Sequence, residues 1–537
     1  MTTSPHTAQS LVSRYGTSVL LLALVIAGAA LRFADIGTES LWVDEIYSFR
    51  QAPKSVGMII ANASSDVHPP AYYVLLHFWS MIFGTTETGL RSFSALCGIV
   101  AIPLMYVLGR DLFSRRIGLY AAFLLAFSHF HIHYSQEARN YAYVVMVVIL
   151  GMVGFVRYLK HFDDKEAGAL MWEAIASFFI GSLLVLYSHF FALFVILAQN
   201  VLVFGFALFR PKVWRRMWRS WFILQAALLL VFTPWLQVLY FQIQTVNKSF
   251  WIERPNLFTL AETLIEFAGS LSAFAVILPL CVLACVQLRK RLFGDKAVDK
   301  GIFEVQFWAD YRLALVLLWL VLPILIPYIL SRNSTPIYYV KYTIPALPAL
   351  LLLAAKGLDA FEMRSAWMRG IVVGIIAALC LVAWRDNRND WNTLEKEVWK
   401  EATQYINRTA TSGDAIFVHD WYCKYNCDYY NQRPEQTFQA LPPERFAVTP
   451  TTIERFYAPN AQGRDRLWLV LSHRTAQTPR ILERIEREFA LVSDSAFPSR
   501  YRKYMIADTF PYQTQGIFLM KTYLSNDIRV LRFERKK

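Results

Sequence analysis

Apolar residues along this chain gather into eleven long stretches, near 17–33, 91–109, 117–134, 140–157, 173–188, 190–209, 220–240, 267–288, 311–330, 337–355 and 367–384. Each approaches the roughly 20 residues that carry a helix across bilayer hydrocarbon. The pattern therefore predicts a polytopic α-helical membrane protein of about 11 transmembrane helices. The turns at 187–190 and 331–336 are tight, so the stretches flanking either one count as one span or two. Tyr72-Tyr73-Val74-Leu75-Leu76-His77-Phe78-Trp79 reads differently, as an amphipathic helix lying at the interface with its aromatic rings at headgroup depth.

Past Trp384 the pattern changes. Residues 391–409 carry charges at helical spacing, and 478–489 reads as a second charged helix. Ala415-Ile416-Phe417-Val418, Leu467-Trp468-Leu469-Val470-Leu471 and Arg529-Val530-Leu531-Arg532-Phe533 read as short strands. Two domains follow: residues 1–384 as the transmembrane domain, with a long first external loop at 34–90, and 385–537 as a soluble α/β domain. The second is large enough for its own core and offers no catalytic motif.

The composition, 55% apolar with a net charge of +14, fits such a chain only once the charge is located. Basic residues fill every second loop: Arg110, Arg115 and Arg116; Arg157, Lys160 and Lys165; Arg210, Lys212, Arg215, Arg216 and Arg219; Arg289, Lys290, Arg291, Lys296 and Lys300; Lys356, Arg364 and Arg369. This is the positive-inside arrangement, so the charge is a topology signal facing anionic membrane lipids rather than nucleic acid. It sets the N-terminus, with Arg14, in the cytoplasm, and an odd number of spans then sets 385–537 outside. The first stretch reads as a retained anchor rather than a cleaved signal.

Against that frame the unusual polar residues fall on the external side, where ionisable groups beside a span mark a site. Asp44 and Glu45 follow the first stretch; a carboxylate at a dry boundary can serve as a base, or simply cap a helix. Asp66-Val67-His68-Pro69-Pro70 holds an acid and an imidazole on a backbone stiffened by two prolines, or is a turn. Arg91 and Arg139 defy the positive-inside bias. Their forks suit phosphate, or an ion pair such as Arg139 with Glu137 or Asp44. Lys341 is a third external cation, which snorkelling alone would explain.

Two further groups bear on metal binding. His129, His131 and His133 alternate, and helix positions two apart do not share a face. His419, Cys423 and Cys427 stand at a spacing that could line one helix face, with a disulfide or free thiols as the alternatives. No cofactor is expected; Asp44 and Glu45 could hold a divalent ion, but no further ligand cluster supports one. Cys97, Cys281, Cys285 and Cys380 fall in spans and read as packing residues.

Trp-Val-Asp-Glu-Ile-Tyr-Ser, Asp-Val-His-Pro-Pro and Leu-Arg-Ser-Phe-Ser-Ala-Leu-Cys-Gly-Ile-Val-Ala-Ile-Pro-Leu, in this order, resemble the membrane half of dolichyl-phosphate-mannose protein mannosyltransferases. Ser-Gln-Glu-Ala-Arg-Asn-Tyr-Ala and Tyr-Val-Lys-Tyr-Thr-Ile-Pro-Ala-Leu-Pro look like the bacterial branch of the same glycosyltransferase family 39, of the GT-C fold, with aminoarabinose transferases as distant relatives. The resemblance covers roughly 30–360. It implies an enzyme of the cytoplasmic (inner) membrane that moves a sugar from a polyprenyl phosphate to a lipid, glycan or protein acceptor on the periplasmic side. It implies Asp44 as general base with Glu45 beside it, and Arg91 near the lipid phosphate. Lys341 stands where many relatives have arginine. The rival readings are a lipid or polysaccharide transporter, which would carry repeated halves and mid-membrane charges, and an inactive subunit that kept the fold.

Overall fold

The structure, a computed structural model, describes residues 5–66, 68–163, 171–248, 252–293, 311–361, 365–391, 396–443, 447–472, 478–506, 519–525 and 527–536. Val67, Lys165, Lys296, Lys300, Arg364 and residues 392–395 of the predicted charged helix lie outside them. Two compact units divide the chain. One comprises Met1–Ala34, Gln51–Thr85 and Gly89–Asn387; the other comprises Asp35–Arg50, Thr86–Thr88 and Arg388–Lys537.

The first unit is helical. Among the described residues, seven helices are long and apolar enough to cross a membrane: Gly16–Phe33, Glu87–Leu112, Tyr141–Asp163, Phe190–Phe209, Pro211–Gln244, Tyr311–Asn333 and Trp367–Arg388. They account for seven of the eleven apolar stretches. The stretch at 267–288 belongs to a pair, Phe258–Ala268 and Leu271–Val286, bent by 96°. Gly269, at φ +99°, turns the chain there in a left-handed conformation that favours glycine. The remaining three form shorter helices. That at 117–134 divides into Arg115–Ala126 and His129–Ser135, because Ser128 accepts the His131 N–H and caps a new helix. That at 173–188 is Met171–Leu186, and that at 337–355 becomes a 3₁₀ turn, Val340–Ala346, followed by Leu347–Leu358.

Large apolar side chains face outward on these helices, among them Val19, Leu230, Val373 and Leu381. That is the surface of an integral membrane protein, whose solvent is hydrocarbon. Helix Ala71–Phe83 has the same inverted character. Tyr72, Tyr73, Leu76 and His77 are buried, whereas Met81 and Ile82 stand 68% and 76% exposed. Helices Tyr141–Asp163 and Met171–Leu186 approach so closely that a Cβ on Gly154 or Gly181 would collide with the facing backbone. This contact fixes the turn at 187–189 that follows.

The second unit holds a five-stranded sheet in the order β2-β1-β3-β7-β4. Here β1 is Ala415–His419, β2 Phe438–Ala440, β3 Arg466–Leu471, β4 Phe489–Phe497 and β7 Ile528–Arg535, with β5 (Arg500–Ile506) and β6 (Leu519–Ser525) forming a separate antiparallel pair. β2, β1 and β3 run parallel, and β7 is antiparallel to both β3 and β4. Successive residues serve opposite faces. Ile416, Val418, Trp468, Val470 and Val530 pack with Trp399 and Ile406 on one side, whereas Phe417, Leu467, Leu469 and Phe533 pack with Tyr457 and Ile481 on the other. A strand buried on both faces needs a continuous apolar run, which is why Ala-Ile-Phe-Val and Leu-Trp-Leu-Val-Leu lack alternation.

Asp414 tethers β1 to β3. Its carboxylate accepts from the Trp468 indole at 2.8 Å, the Thr411 N–H at 3.0 Å and hydroxyl at 2.8 Å, and Arg466 Nε at 3.1 Å. Burial pushes its pKa up, but these donors outweigh burial and hold it below the usual carboxylate value. The unfolded chain therefore takes up the proton more readily. This stabilisation is complete above the unfolded pKa and is lost as pH falls through the folded value. Asp414→Asn should weaken the unit by about 1–2 kcal/mol at pH 7. The deficit should shrink below about pH 4. Hydrogen exchange across β1 and β3 measures it, and a deficit independent of pH would contradict the assignment.

Candidate active site

Four of the sequence-predicted residues, Asp66, His68, Arg139 and Lys341, lie in the first unit, and one of them, His68, lines an apolar cavity. Pro69 and Pro70 are buried and lead into helix Ala71–Phe83, whose first N–H donates to the Tyr187 carbonyl at 3.0 Å. That bond fastens the Asp66–His68 segment to the turn at 187–189. Gln242 Nε2 donates to the Ala63 carbonyl at 3.0 Å and also to that of Asp66. His68 Nδ1 lies 3.5 Å from Asp66 Oδ2, and its Nε2 lies 3.3 Å from Arg139 Nη2. A guanidinium only donates, so Nε2 must accept and the ring proton sits on Nδ1, facing the carboxylate.

Arg139 is 3% exposed. Its Nη1 donates to the Tyr73 hydroxyl at 3.0 Å, and its own carbonyl accepts from Ser94 Oγ at 3.0 Å. Ser94 Oγ in turn lies 2.9 Å from the Tyr72 hydroxyl. Asn140 Nδ2 donates to the Ser188 carbonyl at 2.8 Å. The Gln-Glu-Ala-Arg-Asn segment is thus pinned by two helices and the turn at 187–189. Glu137, the candidate ion-pair partner, lies 3.4 Å from His133 Nε2.

His189, which sequence reasoning passed over, is the site's fifth member. It is buried and its Nδ1 accepts the Phe191 N–H at 3.2 Å, so the proton sits on Nε2. Burial, with His68, Arg139 and Lys341 nearby, lowers its pKa to about 3, which keeps the ring a neutral donor at physiological pH. Lys341 is buried too, its ammonium 5.5 Å from the Tyr141 ring centre and 5.4 Å from that of Tyr339. His68 and His189 line a cavity of about 410 Å³; Phe190, Phe194, Leu239, Ile243, Leu330 and Ile337 supply its apolar wall. A single histidine between two apolar stretches carries no local signal, which is why His189 escaped notice.

Arg91 is fully buried in helix Glu87–Leu112, one turn before Ser94. The three alternating histidines find separate partners: His129 Nδ1 lies 3.3 Å from Asn387 Oδ1, His131 Nδ1 accepts from Arg32 at 2.8 Å, and His133 meets Glu137. Arg32 was not anticipated. Its guanidinium also donates to the carbonyls of Gly28, Leu125 and Ala126 at 2.9–3.1 Å, closing helix Arg115–Ala126.

Asp44 and Glu45 belong to the second unit. Their helix, Val43–Gln51, begins one residue earlier, so both carboxylates occupy its first turn rather than its cap. They differ in setting. Glu45 is fully buried with Lys396 Nζ 3.7 Å away, whereas Asp44 is half-buried. His419, Cys423 and Cys427 do not form a helical stripe: His419 ends β1, and Cys423 closes a 3₁₀ turn before helix Lys424–Tyr430. His419 Nε2 lies 3.0 Å from Asp420 Oδ1, and both thiols are free and buried in the core. Burial pushes the Cys427 thiol up to about 12, leaving it inert. Among the described residues no group of three or more His, Cys, Asp or Glu could hold a metal ion.

Residues 67–240 match the family described as dolichyl-phosphate-mannose-protein mannosyltransferase. The fold resembles ArnT from Cupriavidus metallidurans bound to undecaprenyl phosphate, with a TM-score of 0.54 at 13% identity over 89% of this chain and 96% of that one. The apo form of the same protein matches at 0.54 and 12% identity, over 97% and 98%. The archaeal oligosaccharyltransferase AglB from Archaeoglobus fulgidus, in complex with an inhibitory peptide and a dolichol-phosphate, matches at 0.52 and 12%, over 85% of this chain and 70% of that one. No curated protein matches by sequence. The family 39 resemblance read from the motifs thus holds over 67–240, and the chain has the GT-C fold.

The two first-loop carboxylates should separate by substitution. Glu45→Gln removes a buried charge that faces the Lys396 ammonium and should cost about 2–4 kcal/mol of stability. Asp44→Asn should cost under about 1 kcal/mol, being half-exposed and nearly isosteric. Thermal unfolding of both variants checks this; equal losses would contradict the division.

Proposed function

We propose that this GT-C chain with its family 39 segment is an integral membrane glycosyltransferase that takes a sugar from a polyprenyl phosphate, undecaprenyl phosphate in a bacterium. One observation carries the reading: an apolar cavity of about 410 Å³ lined in part by His68 and His189, with Arg139 bonded to His68. Such a site matches a ligand that is part isoprenoid and part anion. Arg139, His68, His189 and Lys341 are the groups for the phosphate; Asp66 orients His68. Arg91 is assigned to the same phosphate as a buried cation on the helix that carries Ser94.

The mechanism follows from charge. The acceptor hydroxyl oxygen attacks the anomeric carbon as the bond from that carbon to the phosphate oxygen breaks. The bonding pair leaves with the lipid phosphate, which gains negative charge. Arg139 and Lys341 stabilise that charge more in the transition state than in the ground state. The hydroxyl proton passes to Asp44, and attack from the face opposite the leaving group inverts the anomeric centre. A phosphate leaves without protonation, so one base suffices, and with these cations no metal is required. Glu45, engaged with Lys396, is a support rather than a second base. The reading further takes the protein to have eleven spans in the cytoplasmic membrane, with the site and residues 385–537 on the periplasmic side, and a lipid, glycan or protein as acceptor.

Purified enzyme incubated with a panel of polyprenyl-phosphate sugars should release polyprenyl phosphate from at least one of them. Asp44→Asn should lower that turnover about 100-fold or more and leave donor affinity unchanged; near-normal turnover would remove Asp44 from the mechanism.

Arg139→Ala should cost about 2–4 kcal/mol in transition-state stabilisation and weaken donor binding as well. Arg139→Lys keeps the charge without the fork, so it should recover only part. Normal activity per folded molecule in Arg139→Ala would end the phosphate assignment.

A further inference from the structure

Within the second unit, one short helix grips both ends of the segment that carries Asp44. On one edge of helix Lys424–Tyr430, Asn426 and Tyr430 stand four residues apart and hold Leu41. Asn426 Nδ2 donates to the Leu41 carbonyl at 2.9 Å, and the Leu41 N–H donates to the Tyr430 hydroxyl at 2.7 Å. The same hydroxyl donates to Glu87 Oε1 at 3.1 Å, so its one proton and one lone pair have fixed uses. On the next edge Tyr425 and Tyr429, also four apart, hold the far end. The Arg50 guanidinium lies 3.5 Å from the Tyr425 ring centre, and Phe49 meets Tyr429 edge-on at 4.6 Å. Between these grips Lys396 faces Glu45, and the Lys396 N–H donates to Glu39 Oε1 at 3.3 Å.

We infer that helix Lys424–Tyr430 positions the general base, with Tyr430 and Asn426 as positioning residues that fix where the Asp44 carboxylate sits. The inference rests on the assignment of Asp44 as base. Leu41, Asn426 and Tyr430 are all buried, so solvent does not compete for these bonds. Residues 41–50 offer little to hold themselves: a single nine-residue helix, Val43–Gln51, is too short to be stable alone. Side chains placed by the sheet therefore supply the rigidity that a base needs, since a misplacement of an ångström costs about 100-fold in rate.

Tyr430→Phe keeps the ring and removes both hydroxyl bonds. In the full-length enzyme it should lower kcat about 10-fold, with the donor KM unchanged and the acid limb of the kcat–pH profile displaced. Asn426→Ala should do the same. Leu469→Val, in the opposite face of the same sheet, serves as the comparison; it should lower the melting temperature as much as Tyr430→Phe while keeping kcat and the pH profile. Loss of kcat in proportion to melting temperature in all three variants would overturn the positioning role. So would normal kcat in Tyr430→Phe beside an inactive Asp44→Asn, and that result would leave the base assignment standing. An active Asp44→Asn would instead remove the base assignment and this inference with it.

Discussion

A buried guanidinium constrains the membrane unit more than any other group. Arginine keeps its charge at every accessible pH, so Arg139, 3% exposed, depends on the partners that its two Nη groups find. Meeting them dictates the surroundings. Tyr73 must turn its hydroxyl inward, which sets the rotation of helix Ala71–Phe83. His68 must present Nε2 as an acceptor, so Asp66 has to sit beside Nδ1. Ser94 must hold the Arg139 carbonyl, and that fixes helix Glu87–Leu112 against the same point. Segments far apart in the chain meet at this one residue, Tyr73 and His68 through its guanidinium and Ser94 through its carbonyl.

Arg32 makes the useful contrast. It too is completely buried, but its partners are main-chain carbonyls of Gly28, Leu125 and Ala126 together with His131. Carbonyls at a helix end cannot turn away to admit a ligand, so Arg32 is locked into architecture. The partners of Arg139 are side chains beside a cavity, and side chains can rearrange when an anion arrives. The two arginines are equally hidden and differ in what surrounds them.

The sequence made much of this legible. All seven long helices fall on apolar stretches, because a bilayer demands a period-independent run that composition reveals. Arg139 and Lys341 were recognisable as cations on the external side, and Asp66 and His68 as an acid and an imidazole beside two stiffening prolines. What escaped was local geometry. The break after Ala126 depends on Ser128 capping and on Arg32, neither of which interrupts the apolar run. His189 is informative only once Phe191 fixes its tautomer. The stripe of His419, Cys423 and Cys427 failed because spacing suggests a shared face only if one helix spans it, and β1 ends at His419. Membership of 35–50 and 86–88 in the second unit is a long-range fact, and hydrophobic patterning carries no record of it.

That membership has a consequence for the order of events during synthesis. Leu41 and its partner Tyr430 are separated by 389 positions. The segment bearing Asp44 leaves the ribosome early, yet the groups that hold it emerge only after the membrane helices have been made. Contacts of such separation form late, after the loop between them has closed. The nascent chain therefore passes through insertion with its Asp44 carboxylate unfastened, and a chain that stalls or is cut short before helix Lys424–Tyr430 lacks the side chains that hold that segment.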